Sequence, residues 1–245
     1  MLPISLCIPT MRRWDFLKSN IPKYLNNCFI DEIVIVDETG EDYAILNEIY
    51  GTEPKIRLFK NNKQLGAFLN KVECIRHAAN DWVCLIDSDN YASEDYFISF
   101  FRDINANPIS NVIYTPAFAK PLFDFRRLEG KIINKGNISE FLNPLYKDVL
   151  KVALNVGNFI IHKSCYDILT NLIKTEPYVK TISEIFISTD VLFMNYLLLK
   201  NGFNIKIVPD MEYDHLLHEG NLCCQTQEKF KDIDDDLFSK ICQIP

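Results

Sequence analysis

Over its first hundred residues the chain alternates short apolar runs with longer amphipathic stretches. Residues 4–8 predict a buried strand that stops at Pro9, and residues 14–25 repeat apolar side chains at helical spacing. Ile33, Val34, Ile35 and Val36 predict a second strand ending at Asp37, followed by a polar turn over 38–42 and a helix over 43–50. A third strand is expected over 55–59. The helix after it, 67–79, carries Phe68, Val72, Ile75 and Ala79 on one face, and residues 82–86 form the fourth strand. Strands alternating with helices at this spacing imply parallel βαβ units. Ligands of such sheets gather at the carboxyl ends of the strands, where Pro9, Thr10, Asp37 and the Asp87-Ser88-Asp89 triplet all fall.

Beyond residue 95 the pattern is less regular. Residues 96–103 predict a helix, 112–118 a strand, and 159–161 a short strand introduced by Gly157-Asn158. Residues 120–135 mix Pro, Gly and basic side chains without periodicity, which predicts a long loop or insertion. Asp190 precedes a strongly helical run over 191–200 that Asn201-Gly202 terminates. Residues 203–208 return as a strand, with His215 and His218 beyond it. The mixed acidic and basic stretch at 229–236 is expected to lie on the surface or fray.

The 245 residues suffice for one sizeable α/β domain, and 48% hydrophobic with 24% charged residues is the balance of an ordinary globular chain. A net charge of -7 supplies no basic stripe for nucleic acid, and Arg12-Arg13 and Arg126-Arg127 read as local surface pairs. The eight cysteines form no C-x-x-C pair and, apart from Cys223-Cys224, whose place in the pattern gives no reading, read as reduced, buried side chains of a cytoplasmic protein. The opening residues lack a basic leader, and no segment has the length of a membrane span; the best, 191–199, contains Asn195.

Candidate chemistry starts at Asp87 and Asp89. On an extended chain residues i and i+2 face one side, so these carboxylates would share one hard cation, Mg2+ or Mn2+, with Ser88 turned away. The same residues equally suit a turn after a strand. His215 and His218 form an H-x-x-H pair able to present two imidazoles on one side of a helix or tight loop. The sequence around them follows neither zinc-protease order.

Four segments in order carry a resemblance: residues 4–10 (Ile-Ser-Leu-Cys-Ile-Pro-Thr), 32–38 (Glu-Ile-Val-Ile-Val-Asp-Glu), 66–71 (Gly-Ala-Phe-Leu-Asn-Lys) and 82–90 (Trp-Val-Cys-Leu-Ile-Asp-Ser-Asp-Asn). Together they resemble the nucleotide-sugar half of GT-A glycosyltransferases, most nearly family 2, and the likeness runs more weakly through Asp190 to about Asn221. It implies a single GT-A domain with a mixed, mostly parallel sheet flanked by helices. Residues 1–100 would bind the nucleotide sugar, 101–220 the acceptor, and 221–245 would form a tail. The implied donor is a UDP- or GDP-type sugar and the acceptor a carbohydrate or glycoconjugate hydroxyl.

By position, the resemblance assigns Pro9 and Thr10 to the nucleotide base, Asp37 to the uracil-like ring or ribose, and Gly66, Asn70 and Ser88 to the nucleotide-sugar site. Asp87 would touch ribose and metal, and Asp89 would ligate the metal bridging both phosphates. Many family 2 chains carry Arg where this one has Leu69; Lys63, Lys71 and Arg76 are possible replacements, each read here as a solvated charge. Asp190 would be the base of an inverting transfer, with Glu184 in reserve, although Ser188, Thr189 and Asp190 also suit a helix N-cap. Gly157-Asn158 would shape the acceptor floor, and His215 or His218 would add a metal ligand. Two alternatives accompany this reading. One is a nucleotide-sugar-binding module of the same fold with weak or no turnover. The other is an Asp-x-Asp phosphatase, against which the motif's place after the fourth strand counts.

Overall fold

The computed structural model describes residues 2–106, 110–176, 189–218 and 231–244. The first half runs β1 (Ile4–Thr10), α1 (Trp14–Leu25), β2 (Glu32–Asp37), α2 (Glu41–Tyr50), β3 (Ile56–Lys60), α3 (Ala67–His77), β4 (Trp82–Leu85) and α4 (Glu94–Ala106). There follow β5 (Val112–Lys120), β6 (Phe123–Asp124), β7 (Ile132–Ile133), α5 (Lys147–Ala153) and β8 (Phe159–His162). The chain continues with α6 (Cys165–Ile173), α7 (Asp190–Lys200), β9 (Asn204–Asp214) and α8 (Lys231–Cys242).

The strands form one sheet in the order β3-β2-β1-β4-β8-β5-β9-β7, with β6 paired to β5. β1 to β4 are mutually parallel, β8 is antiparallel to β4 and β5, and β9 runs parallel to β5. Strand order reverses between β1 and β4, so a crevice opens at their carboxyl ends. β1, β2 and β4, inside the sheet, are rich in Val, Ile, Leu and Cys because both faces are covered: every residue of β2 and β4 is buried.

Several elements differ from the sequence expectation for identifiable reasons. β1 continues through Pro9 to Thr10, since β4 pairs it only as far as Cys7 and the missing N–H then faces no neighbour on that side. β9 passes through Pro209 to Asp214 by way of a bulge, with Asp210 in the left-handed region at φ 59°. The expected loop over 120–135 contains β6 and β7, both paired into the sheet, and buries Phe125, Leu128 and Ile133. The described part of the expected surface stretch, 231–236, is exposed or half-buried as expected but helical, forming the start of α8, whose later residues Leu237, Phe238 and Ile241 are buried. Helices α5 and α6 were not legible in the pattern. Cys7, Cys74, Cys84 and Cys165 are buried free thiols, whereas Cys28 is exposed; Cys223 and Cys224 lie outside the described residues.

Two buried carboxylates fix the loops at the two ends of the sheet, Asp42 at the carboxyl edge beside the crevice and Glu32 at the amino edge. Asp42, at the start of α2, accepts hydrogen bonds from the N–H groups of Arg13 and Trp14 and from the Thr10 hydroxyl at 2.6 Å, and so caps α1 from another helix. Arg12 beside it has φ 56°, a conformation that this bracket holds in place. Glu32 accepts from the Ser5 hydroxyl, the Ala79 N–H and Arg57, tying β2 to β1, β3 and the end of α3. Burial opposes its ionisation, but these hydrogen bonds outweigh burial and hold its pKa below the ordinary 4.5.

Asp42→Ala leaves several donors unmet and is expected to cost about 2 kcal/mol in urea unfolding. A depressed Glu32 pKa means that its contribution is complete above 4.5 and is lost as the pH falls through the folded value. Glu32→Gln is therefore expected to lower the melting temperature at neutral pH, with the gap from the natural chain closing below about pH 4.5; a gap independent of pH would contradict this.

Candidate functional site

The turn after β4 is fixed on three sides. Asp87 N–H donates to Asn158 Oδ1 at 2.7 Å, Asn90 N–H donates to the Asp87 carbonyl, and Tyr91 and Asp214 exchange backbone hydrogen bonds. Leu216 N–H also donates to Asn90 Oδ1 at 3.2 Å. These bonds lay the end of β9, and the histidines behind it, against the Asp87-Ser88-Asp89 turn. Gly157 makes room on the other side: a Cβ there would stand 2.7 Å from Asp87 Oδ2.

Ser88 and Asp89 lie in a turn, so the extended geometry in which two carboxylates face one cation does not apply. The carboxylates instead have different partners. Asp87 Oδ1 lies 2.9 Å from Lys71 Nζ, and the same ammonium lies 2.6 Å from Asp190 Oδ2. Lys71, expected in solvent, is 5% exposed on α3. Burial works against its charge, yet Asp190 and Asp87 together hold its pKa above the ordinary lysine range. Asp190 opens α7 with Thr189 as the N-cap residue, and the Thr189 side chain makes no capping bond; Glu184 and Ser188 lie outside the described residues.

Asp89 Oδ2 lies 2.9 Å from His218 Nε2. Arg13 reaches the same imidazole at 3.2 Å, and Phe16 packs on it with ring centroids 4.7 Å apart. Arg13 is thus part of the site rather than a bystander on the surface, a role its sequence context does not signal. His215 is nearby and carries a buried Nδ1 without a hydrogen-bond partner. Burial, set against the attraction of Asp87 and Asp89, keeps its pKa below the ordinary 6.5, so the ring is neutral and competent to ligate at neutral pH. A cavity of about 370 Å³ opens beside Asp89, between Phe16, Asn20, Tyr91, Asp214 and His215.

The remaining predicted residues form a second polar group at the ends of β1 and β2. Asp37 is fully buried, its two oxygens accepting from Thr39 and Tyr43 N–H. Thr10 turns its hydroxyl to Asp42, and Pro9 is partly exposed. Gly66, at φ 88° and ψ 160°, makes the entry to α3 that only glycine adopts readily. Asn70 donates to the Val36 carbonyl and accepts from Asn61, which also donates to Glu38. Glu38 keeps a buried Oε1 without a partner, a feature the sequence reading missed. Lys63 is exposed, and Arg76 is an exposed partner of Glu73.

A divalent cation finds a partial ligand set here. Among the described residues no three His, Cys, Asp or Glu side chains gather as a cluster, but Asp89 and His218 are in contact. One or two protein ligands completed by diphosphate oxygens and water is the arrangement in which magnesium commonly binds, and imidazole suits manganese-like metals as well. Lys71 is shared between Asp87 and Asp190, so one positive charge faces two negative ones, and the candidate ligands of the ion are Asp89 and His218 with Asp87 beside them.

A sheet of this order, with its carboxylates at the switch between β1 and β4, is the GT-A architecture. Residues 5–166 match the model of glycosyl transferase family 2, and the chain belongs to that family. Residues 1–349 of TarS from S. aureus in complex with UDP-GlcNAc superpose with a TM-score of 0.67 at 13% identity, covering 98% of this chain and 66% of that one. The same protein with UDP gives 0.63 at 13% identity, covering 98% and 65%, and without a stated ligand 0.61 at 14%, covering 87% and 59%. At such identities the likeness is one of fold, and the chain spans under two thirds of these TarS chains. No curated protein matches the sequence. Among the described residues no helix is long and apolar enough to cross a membrane.

The contact at Gly157 yields a structural test. Gly157→Ala is expected to fold and to displace the Asp87 carboxylate, stretching the Lys71–Asp87 pair beyond ion-pair distance in a crystal structure. Asp87 unmoved in that variant would show that the glycine is not what admits it.

Proposed function

We propose that this chain transfers a sugar from a nucleoside-diphosphate donor to a hydroxyl acceptor, with inversion at the anomeric carbon. The observation that carries the reading is the convergence of Asp87 and Asp190, from opposite halves of the chain, on one ammonium at the carboxyl edge of the sheet. Family 2 membership supports the donor class, and the TarS structures holding UDP-GlcNAc and UDP favour a uridine nucleotide. Pro9, Thr10, Asp37 and Asn70 are assigned to the nucleoside wall, with Gly66 and Ser88 shaping the backbone around the diphosphate. Asp89, with His218 and in reserve His215, would hold Mn2+ or Mg2+, which when bound neutralises charge growing on the diphosphate.

Asp190 is assigned as the base. The acceptor oxygen forms its bond to the anomeric carbon while the bond to the diphosphate oxygen breaks, the electron pair leaves with the diphosphate, and the hydroxyl proton passes to Asp190. Gly157 and Asn158 would border the acceptor through their hold on Asp87. The donor and acceptor halves are taken as 1–100 and 101–220.

UDP with Mn2+ is expected to raise the melting temperature by several degrees, GDP less, and neither to do so in Asp89→Ala. Absence of any shift with uridine and guanosine diphosphates, with or without metal, would sink the reading. Nucleotide binding without release of free sugar from any donor of a panel would favour a binding module instead.

A further inference from the structure

The geometry points to Lys71 as a positioning residue of the transfer reaction, one that sets the Asp190 carboxylate against Asp87. This rests on the transfer reading given above. Among the described residues Lys71 is the only buried Lys or Arg, and through it an α3 residue meets both a β4-turn carboxylate and an α7 carboxylate, at 2.9 and 2.6 Å. Side-chain exposures of 7% for Lys71 and 10% for Asp190 leave little water to substitute for either partner.

The helices are set for this contact. Phe68, three residues before Lys71, packs edge-on against Phe193, three residues after Asp190, with ring centroids 5.0 Å apart. Residues three apart share a helix face, so an aromatic contact one turn away fixes the spacing over which the ammonium reaches. Asp87 is held in turn by Asn158 through its N–H and bounded by Gly157. Two carboxylates brought this close repel, and the ammonium between them turns that repulsion into two oriented ion pairs. Asp190 is then held through one oxygen, Oδ2. A carboxylate released from Lys71 would rotate away from Asp87, and a misplacement of about 1 Å costs roughly 10²-fold in rate.

The experiment compares the natural chain with Lys71→Met, Lys71→Arg, Asp190→Asn and the double variant Lys71→Met/Asp190→Asn. The donor is the nucleotide sugar selected by the panel, the readout is kcat and donor KM, and melting temperature checks folding. Lys71→Met is expected to lose about 10²-fold in kcat with donor KM within about threefold, and Lys71→Arg to recover at least part of that loss. Introduced into Asp190→Asn, the same Lys71 change should cost at least tenfold less than it does alone. If Lys71→Met does not fold, the double variant, which buries no unpaired carboxylate at 190, and Lys71→Gln serve in its place. A folded Lys71 variant with unchanged kcat, a loss confined to KM, or a loss undiminished by Asp190→Asn would each overturn the inference while leaving the transfer reading intact. A natural chain inert toward every donor would overturn both, and is distinguished because it fails before any variant is compared.

Discussion

A lysine ammonium with almost no access to water is tenable only where the surrounding charge repays its desolvation, and at Lys71 two carboxylates do so. The cost of burying one unpaired ion is several kcal/mol, so the lysine requires a carboxylate partner, and here it has two. Burial by itself would drive the lysine toward its neutral form, yet Asp190 and Asp87 reverse the sign. The consequence is architectural. The first four strands alone would end in an open crevice; Lys71 and Asp190 attach α7 to it, so that the later half of the chain closes one side of the site.

The other side is closed by a different kind of bond. Backbone exchange between Tyr91 and Asp214, with Leu216 N–H on Asn90, carries the histidine segment to Asp89. The His218 contact is thus prepared by main-chain geometry, and Phe16 of α1 and Arg13 just before that helix hold the ring from outside. Asp87 and Asp89, two residues apart in sequence, consequently face different environments: a buried, permanently charged lysine for one, and an imidazole at the edge of a cavity for the other. The electrostatic roles of the two carboxylates differ for that reason: Asp87 faces an ammonium and Asp89 an imidazole.

The early strands were legible because β-branched runs closed by polar residues admit little besides a buried parallel strand, and the crossover helices between them carry regular apolar spacing. Pro9 and Pro209 misled for one shared reason: each removes a hydrogen bond, but each sits where the sheet lacks a partner or bulges. Residues 120–135 gave no periodicity because β6 and β7 are two residues long, shorter than any alternation can register. The site was legible as a set of residue types at strand ends. Its pairings were not, since a Lys beside a helical Asn looks the same in sequence whether it faces solvent or α7.

Leu69 and Lys71 show what decides which α3 side chain can reach the carboxylates. Two positions on a helix are separated by about 200°, so a cation at 69 and one at 71 face nearly opposite directions. Leu69 packs partly buried against the apolar core, and a cation there could not reach Asp190. With the charge at 71 it points instead at the junction of α3, α7 and the β4 turn, where it is shielded from solvent and shared. A charge placed to meet a phosphate would need to remain accessible to incoming substrate. Lys71 is not, and its side chain is spent on the protein's own carboxylates. The cationic contact that the resemblance places at 69 therefore has no counterpart in Lys71.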